Sequence, residues 1–250
     1  MQTGVQREDR PGTPRAGEKP AYVHRAFVAI ANRYDLLNTL LSFNLDRGWR
    51  RATVAAVGLS GSEAILDVAT GTGMLAREMQ RRLGAGGKVL GIDFCEPMLR
   101  RAKGLADNIH PVLATAERLP FADSSLDGAT VAFGLRNVPD MEMALREATR
   151  VVRPGGRVVC LEFSRPRNAI LQRLHRFYLL RVLPTVGWLI SGDREAYVYL
   201  PRSIMAFPSA EELRSVMEKA GLEKTAYRFL TWGVVAIHSG TKPGPGGAPA

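Results

Sequence analysis

Two short stretches carry residue types that can do chemistry at the spacing they have. The first is "ILDVATGTGMLA", Ile65 to Ala76. An apolar run ends at Ala69, Gly71 and Gly73 follow, and a helical pattern begins near Met74. Glycines in such a turn let the backbone bend tightly and come close to a ligand. Asp93 ends the next apolar run, 22 residues after Gly71, where a carboxylate can accept hydrogen bonds from both hydroxyls of a ribose. Gly71, Gly73 and Ala76 also satisfy G-x-G-x-x-G/A, so this segment taken alone fits a dinucleotide site equally well. The second stretch is "VAFGLRNVPD", Val131 to Asp140. It starts as a buried strand, breaks at Gly134, exposes Arg136 and Asn137 at once, and then reads as a helix start. Ligands of open α/β sheets bind beyond the carboxyl ends of strands, where this polar pair would emerge.

The elements that must hold these residues alternate. "AILDVA", "KVLGID", "HPVLAT", "LDGATVAFG" and "GGRVVCLEFS" read as strands. Helical segments separate several of them: "MLAREMQRRLG" ending at Gly84, "EPMLRRAKGLA" with Pro97 in its first turn, and roughly residues 140–152. The rhythm predicts a parallel sheet with helices on both faces. Before it, a stripe of Phe27, Ile30, Tyr34, Leu37 and Leu41 predicts a helix over residues 24–42, and another covers Trp49 to Val57. Residues 166–207 break the rhythm with aromatic and basic side chains and read as an inserted segment of helices and loops. Ser209 and Glu212 form an S-x-x-E capping box for a helix that Gly221 ends. The last two strands, near 222–229 and 233–239, have no helix between them and predict an antiparallel hairpin at one edge.

Composition narrows the function classes. The chain has 250 residues and 46% hydrophobic content, enough for one large domain. We expect disordered tails at 1–20 and 242–250 around one domain at 21–241, because both ends lack apolar periodicity. Neither a secretory h-region nor a bilayer-spanning run is evident; the longest apolar stretch, residues 177–190, is broken by Arg181 and Pro184. Cys95 and Cys160 match no metal spacing, and the four histidines are scattered, so no metal site is expected. The formal charge of +10 fits an anionic membrane surface, nucleic acid, or an arginine-rich background.

Longer segments point to one family. "ATAERLPFADSSLDGATVAFG" and "EATRVVRPGGRVVCLEF" resemble the later motifs of the seven-stranded, Rossmann-like class I S-adenosylmethionine-dependent methyltransferases. "FVAIANRYDLLNTLLSFNLDRGWRR", "FGLRNVPD", "RPGGRVVCLEFSRP", "YVYLPRSIMAFPSAEEL" and "LTWGVVAIHSGTK" resemble the signatures of the ubiquinone/menaquinone biosynthesis C-methyltransferases, over about residues 22–242. Three positions depart from the common pattern: Met74 stands where many relatives have aspartate, Asp46 where many have histidine, and Asn44 where glycine is common.

The resemblance implies an enzyme that uses S-adenosyl-L-methionine to methylate a ring carbon of a polyprenylated quinol, a naphthoquinol or a benzoquinol. It implies a cofactor set of Asp67, Gly71, Thr72, Gly73, Asp93, Thr115 and Ala116, the last two against the adenine. Arg136, Asn137 and Tyr34 are the expected catalytic residues. Arg136 would stabilise a phenolate, and Asn137 and Tyr34 would hydrogen-bond the quinol. Against these stand an Arg136 that merely binds a carboxylate such as Asp140, and a Tyr34 that simply packs in the core. Asp35 and Asn38 would position their helix over the site. The basic, aromatic insertion suits a lipid substrate met at the inner face of a membrane by a cytoplasmic chain. Oligomeric state stays open, with a homodimer as one option. Three alternatives weigh less. "GLRN" after strand four lacks the Pro-Pro-Tyr/Phe motif common in enzymes that methylate base amino groups, which argues against nucleic acid. A non-catalytic S-adenosylmethionine-binding partner in a membrane complex would not need Arg136 and Asn137. A nicotinamide dehydrogenase rests on the glycine pattern alone.

Overall fold

The structure of the chain, a computed structural model, describes residues 19–31, 34–191 and 194–244. Its centre is one seven-stranded sheet in the order β3-β2-β1-β4-β5-β7-β6. Strands β1 (Ala64–Val68), β2 (Lys88–Asp93), β3 (Ile109–Leu113), β4 (Leu126–Ala132) and β5 (Val152–Phe163) pair in parallel. Strand β7 (Val235–Thr241) runs antiparallel between β5 and the edge strand β6 (Glu223–Leu230). This is the expected parallel sheet with its closing hairpin. Because successive strands run outward from β1 to β3 and then restart at β4 on the other side, the order reverses between β1 and β4. A crevice opens at that switch point, beyond the strands' carboxyl ends.

Both faces of the sheet are covered, so its central strands are apolar almost throughout. On one face Leu66, Val131, Leu145, Leu213 and Met217 pack together. On the other, Ile65, Met79 and Leu161 pack with Trp49 of α3 (Asp46–Val57). The helices start where their caps dictate. Asp140 accepts a hydrogen bond from the Met143 N–H at 2.9 Å and opens α6 (Met141–Val151). Ser209 and Glu212 close the predicted capping box on α10 (Ala210–Lys219).

Some boundaries differ from the sequence pattern. The stripe over 24–42 belongs to two helices, α1 (Lys19–Ile30) and α2 (Tyr34–Leu41). Helix α4 (Met74–Gln80) stops before Gly84, whose N–H instead reaches back to the Gly61 carbonyl. Of the expected tails, residues 1–18 and 245–250 lie outside the described residues. The inserted segment is helical: α7 (Ala169–Phe177), α8 (Leu183–Ser191) and α9 (Arg194–Ala206), with a π turn over Tyr178–Val182. Pro184 explains the turn's position. It has no N–H to continue the ladder, and the backbone widens just before it. Leu179, Leu183 and Ile204 of this segment pack with Leu37 of α2, so the insertion and the N-terminal helices form one cap over the sheet's carboxyl edge. Among the described residues no helix is long and apolar enough to cross a membrane.

The crevice is tight at one point. Ala69, after β1, and Phe133, after β4, both have left-handed backbone, with φ of 52° and 55°. Gly134 follows Phe133, and a Cβ placed there would lie 2.5 Å from the Cβ of Ala69. Glycine at 134 therefore lets the ends of β1 and β4 approach. Gly134→Ala should force the two loops apart and lower stability by about 1–3 kcal/mol, as overpacking does. Denaturant unfolding at fixed pH measures this.

Candidate active site

Two cavities open along the carboxyl edge. The smaller, about 240 Å³, lies beyond β1, β2 and β4, with Gly71, Asp93, Thr115 and Ala116 on its wall. Asp93 is buried, and its two carboxylate oxygens are each already engaged. Oδ2 accepts from the Gly71 N–H and Oδ1 from the Cys95 N–H, both at 2.9 Å. Burial pushes this carboxyl above the usual carboxylate range, and the backbone N–H groups pull the other way. The carboxylate retains lone pairs for further donors, and helix α5 (Glu96–Ala102) supplies Met98 as an apolar wall beside it.

Three of the expected cofactor residues stand behind this wall rather than on it. Asp67 accepts from the Thr70 hydroxyl at 2.7 Å and the Thr130 hydroxyl at 2.8 Å, so it braces the glycine loop against β4. Thr72 donates to Asp35 of α2 at 2.6 Å, tying the loop to the cap. Gly73, with φ of 80°, lets α4 pack closely; a Cβ there would meet a methyl of Leu105 at 2.6 Å. None of the three lines the smaller cavity; each shapes the glycine loop from behind.

The larger cavity, about 570 Å³, runs under the cap. Tyr34, Asn137, Phe27 and Phe133 border both cavities, so the two meet there. Arg136 lines the larger one. Its Nη1 donates to Glu162 of β5 at 2.6 Å and to the Phe133 carbonyl, and its guanidinium carbon lies 5.3 Å from the centroid of the Phe163 ring. The carboxylate partner is thus Glu162 and not Asp140, which caps α6. Glu162 is fully buried. Burial pushes its carboxyl up to about 7 against the pull of Arg136. Arg136 Nε and Glu162 Oε2 are buried with no hydrogen-bond partner. Asn137 accepts from the Tyr199 hydroxyl of α9 at 3.2 Å. Tyr34 packs edge-on against Phe27, with centroids 5.8 Å apart, so it is at once part of the apolar stripe and part of the wall.

Glu162 and Tyr199 were not singled out from the sequence. A signal for Glu162 was there: one carboxylate inside the apolar run "VVCLEF" needs a buried cation. Tyr199 gave none, because its contact depends on how the insertion folds back. Among the described residues no group of three His, Cys, Asp or Glu could hold a metal ion.

The chain matches the model of the ubiE/COQ5 methyltransferase family over residues 15–242. It belongs to that family. Curated relatives agree over nearly their whole length. The chain is 43% identical to the ubiquinone/menaquinone biosynthesis C-methyltransferase UbiE of Idiomarina loihiensis over 90% of this chain and 92% of that protein. It is 41% identical to the demethylmenaquinone methyltransferase of Desulfitobacterium hafniense, over 90% and 92%. Among solved structures, a SAM-dependent methyltransferase from Thermotoga maritima superposes with a TM-score of 0.64 at 22% identity, over 87% of this chain and 98% of that one. One from Aquifex aeolicus gives 0.55 at 20%, over 77% and 88%. These two likenesses concern the fold.

The family uses S-adenosylmethionine, and the smaller cavity suits it: a buried carboxylate for the ribose, an apolar wall, and an open end at Tyr34 and Asn137. Asp93→Ala should weaken S-adenosylmethionine binding by at least about a hundredfold in titration calorimetry, since it removes a charge-assisted acceptor and frees the Gly71 loop. Asp67 offers a separate test. Its carboxyl is pushed up to about 6 by desolvation, which outweighs the two hydroxyl bonds. Between about pH 4 and 6 the folded chain holds a proton that the unfolded chain releases, so this contribution to stability is lost as pH rises through that window. Asp67→Asn should remove up to about 3 kcal/mol of that pH dependence, read as midpoints of urea unfolding across the window.

Proposed function

We propose that this chain transfers a methyl group from S-adenosylmethionine to a ring carbon of a demethylated polyprenyl quinol, giving menaquinol, the corresponding benzoquinol, or both. The observation that carries the reading is the meeting of the two cavities at Tyr34, Phe133 and Asn137, with a cationic side chain in the larger one. The family supplies the chemistry and the curated relatives are named for quinone biosynthesis.

When bound, S-adenosylmethionine supplies an electrophilic methyl group on a sulfonium. The chain's task is to make an aromatic carbon nucleophilic and to point it at the smaller cavity. Loss of a phenolic proton pushes electron density onto the carbons ortho to that oxygen. Arg136 would favour that loss, because a fixed positive charge among apolar side chains stabilises the phenolate. A guanidinium stays protonated, so Arg136 holds charge while water or another group takes the proton. Asn137, held by Tyr199, and Tyr34 orient the ring hydroxyl at the junction. Glu162 fixes Arg136 in place.

The cavity's mouth supports the lipid part of the reading. Phe43, Leu174, Phe177 and Trp232 line the larger cavity and are 75, 62, 59 and 79% exposed. Ile170, Leu174 and Phe177 stand at helical spacing on α7, with Arg173 and Arg176 between them on the same helix. Exposed apolar groups beside arginines suit contact with an anionic bilayer surface, where a prenyl tail enters from the lipid.

The test is mass spectrometry of lipid quinones from cells lacking the protein, complemented with wild type or Arg136→Lys. The demethylated quinone should accumulate in the deletion and disappear with wild type. Arg136→Lys keeps a partner for the buried Glu162 but loses the planar fork. It should bind S-adenosylmethionine normally and lower turnover by about a hundredfold or more. Normal quinones in the deletion strain would sink the function, and unchanged turnover in the variant would remove Arg136 from it.

A further inference from the structure

A second buried charge pair, Asp46 and Arg50, lies in the larger cavity away from Glu162. Asp46 opens α3, and Arg50 follows one helical turn later. Both line the cavity and are only 2 and 7% exposed. Asp46 Oδ1 accepts from the Ser42 hydroxyl at 3.1 Å. Asp46 Oδ2 faces Arg50 Nε across 3.6 Å, too far for a hydrogen bond, and both atoms are buried without a partner. Such orphans are costly unless something that binds there completes them.

Their surroundings say what would fit. The Arg50 guanidinium carbon lies 5.7 Å from the centroid of Phe133. Phe133 lies 4.8 Å from Phe163, over which Arg136 sits. Two arginine–carboxylate pairs therefore flank one pair of aromatic rings. Asp46 offers an acceptor and Arg50, beside it, a donor. A hydroxyl is the small group that answers both, giving its hydrogen to one and receiving a hydrogen from the other.

We propose that the Asp46–Arg50 pair is a second oxygen-binding subsite, which seats the distal hydroxyl of a 1,4-dihydroxy aromatic ring and thereby selects the reduced ring over the oxidised one. This rests on the proposed function and deepens it. A quinone carbonyl satisfies Arg50 but has no hydrogen for Asp46, and would set an oxygen lone pair against a buried carboxylate. Sites built to pair a substrate hydroxyl reject analogues that lack it, because their own polar groups are then stranded. Asn137 and Arg136, at the other pole, supply donors that either form of the ring accepts, so redox selectivity falls to Asp46.

The experiment is anaerobic binding of a demethylated naphthoquinone bearing one prenyl unit, in its quinone form and in its chemically reduced quinol form. Wild type, Asp46→Asn and Ser42→Ala are compared, with S-adenosylmethionine affinity on the same samples reporting the folded state. Wild type should prefer the quinol by at least about a hundredfold. Asp46→Asn, whose amide can present either a donor or an acceptor, should bind quinone more tightly and quinol more weakly, shrinking the ratio by about tenfold or more. Ser42→Ala frees Asp46 without removing it and should give an intermediate ratio; if Asp46→Asn does not fold, this variant decides alone. A ratio unchanged in the folded variants, with wild type still methylating the quinol, overturns the subsite and leaves the function standing. Failure of wild type to bind or methylate either form overturns both.

Discussion

The contact on which the site depends is the ion pair between Arg136 and Glu162. It joins the turn after β4 to the end of β5, both at the carboxyl edge of the sheet. A charge taken out of water is tolerable only when its counter-charge comes with it, and loss of one partner typically leaves a penalty of about 3–5 kcal/mol. The pair therefore fixes two things together. It keeps a cation facing the larger cavity, and it clamps the loop that carries Asn137 to the neighbouring strand. Phe163, next to Glu162, lies under the same guanidinium, so the anchor is packed as well as paired.

Around that anchor the topology does the positioning. Parallel strands deliver their carboxyl ends to one edge, and the reversal of strand order between β1 and β4 leaves the gap in which a nucleoside fits. The cap of α1, α2 and the inserted helices then adds the second cavity. Its attachment is polar as well as apolar: Thr72 of the glycine loop donates to Asp35 of α2 at 2.6 Å, and within the cap the Tyr178 hydroxyl donates to the Leu41 carbonyl at 2.6 Å. The enzyme is a nucleoside-binding sheet with a helical cap tied to it through the glycine loop itself.

Much of this was legible in the residues because it follows from local rules. The glycine turn, Asp93 at a strand end, the capping box at Ser209 and the helix-free final hairpin each depend on neighbours close in sequence. Asp67 shows where local reading stops. A carboxylate at the end of β1 looks like a ligand group, and only the hydroxyls of Thr70 and, from another strand, Thr130 show that it braces the loop. Glu162 was partly legible, as a charge with no business in an apolar strand. Tyr199 meets Asn137 from 62 positions further along the chain, and no pattern near either residue announces the contact. The break between α1 and α2 was hidden because both halves present the same apolar stripe.

Phe133 belongs to both cavities and is held there by a left-handed backbone and by rings on either side, Trp49 at 6.0 Å and Phe163 at 4.8 Å. A side chain shared in this way makes two occupancies interdependent. If either ligand shifts the ring, the other meets an altered wall, and linkage requires the change in affinity to be equal in both directions. Any coupling that runs through this aromatic partition is reciprocal, and the order in which cofactor and acceptor arrive leaves the total free energy of the ternary complex unchanged.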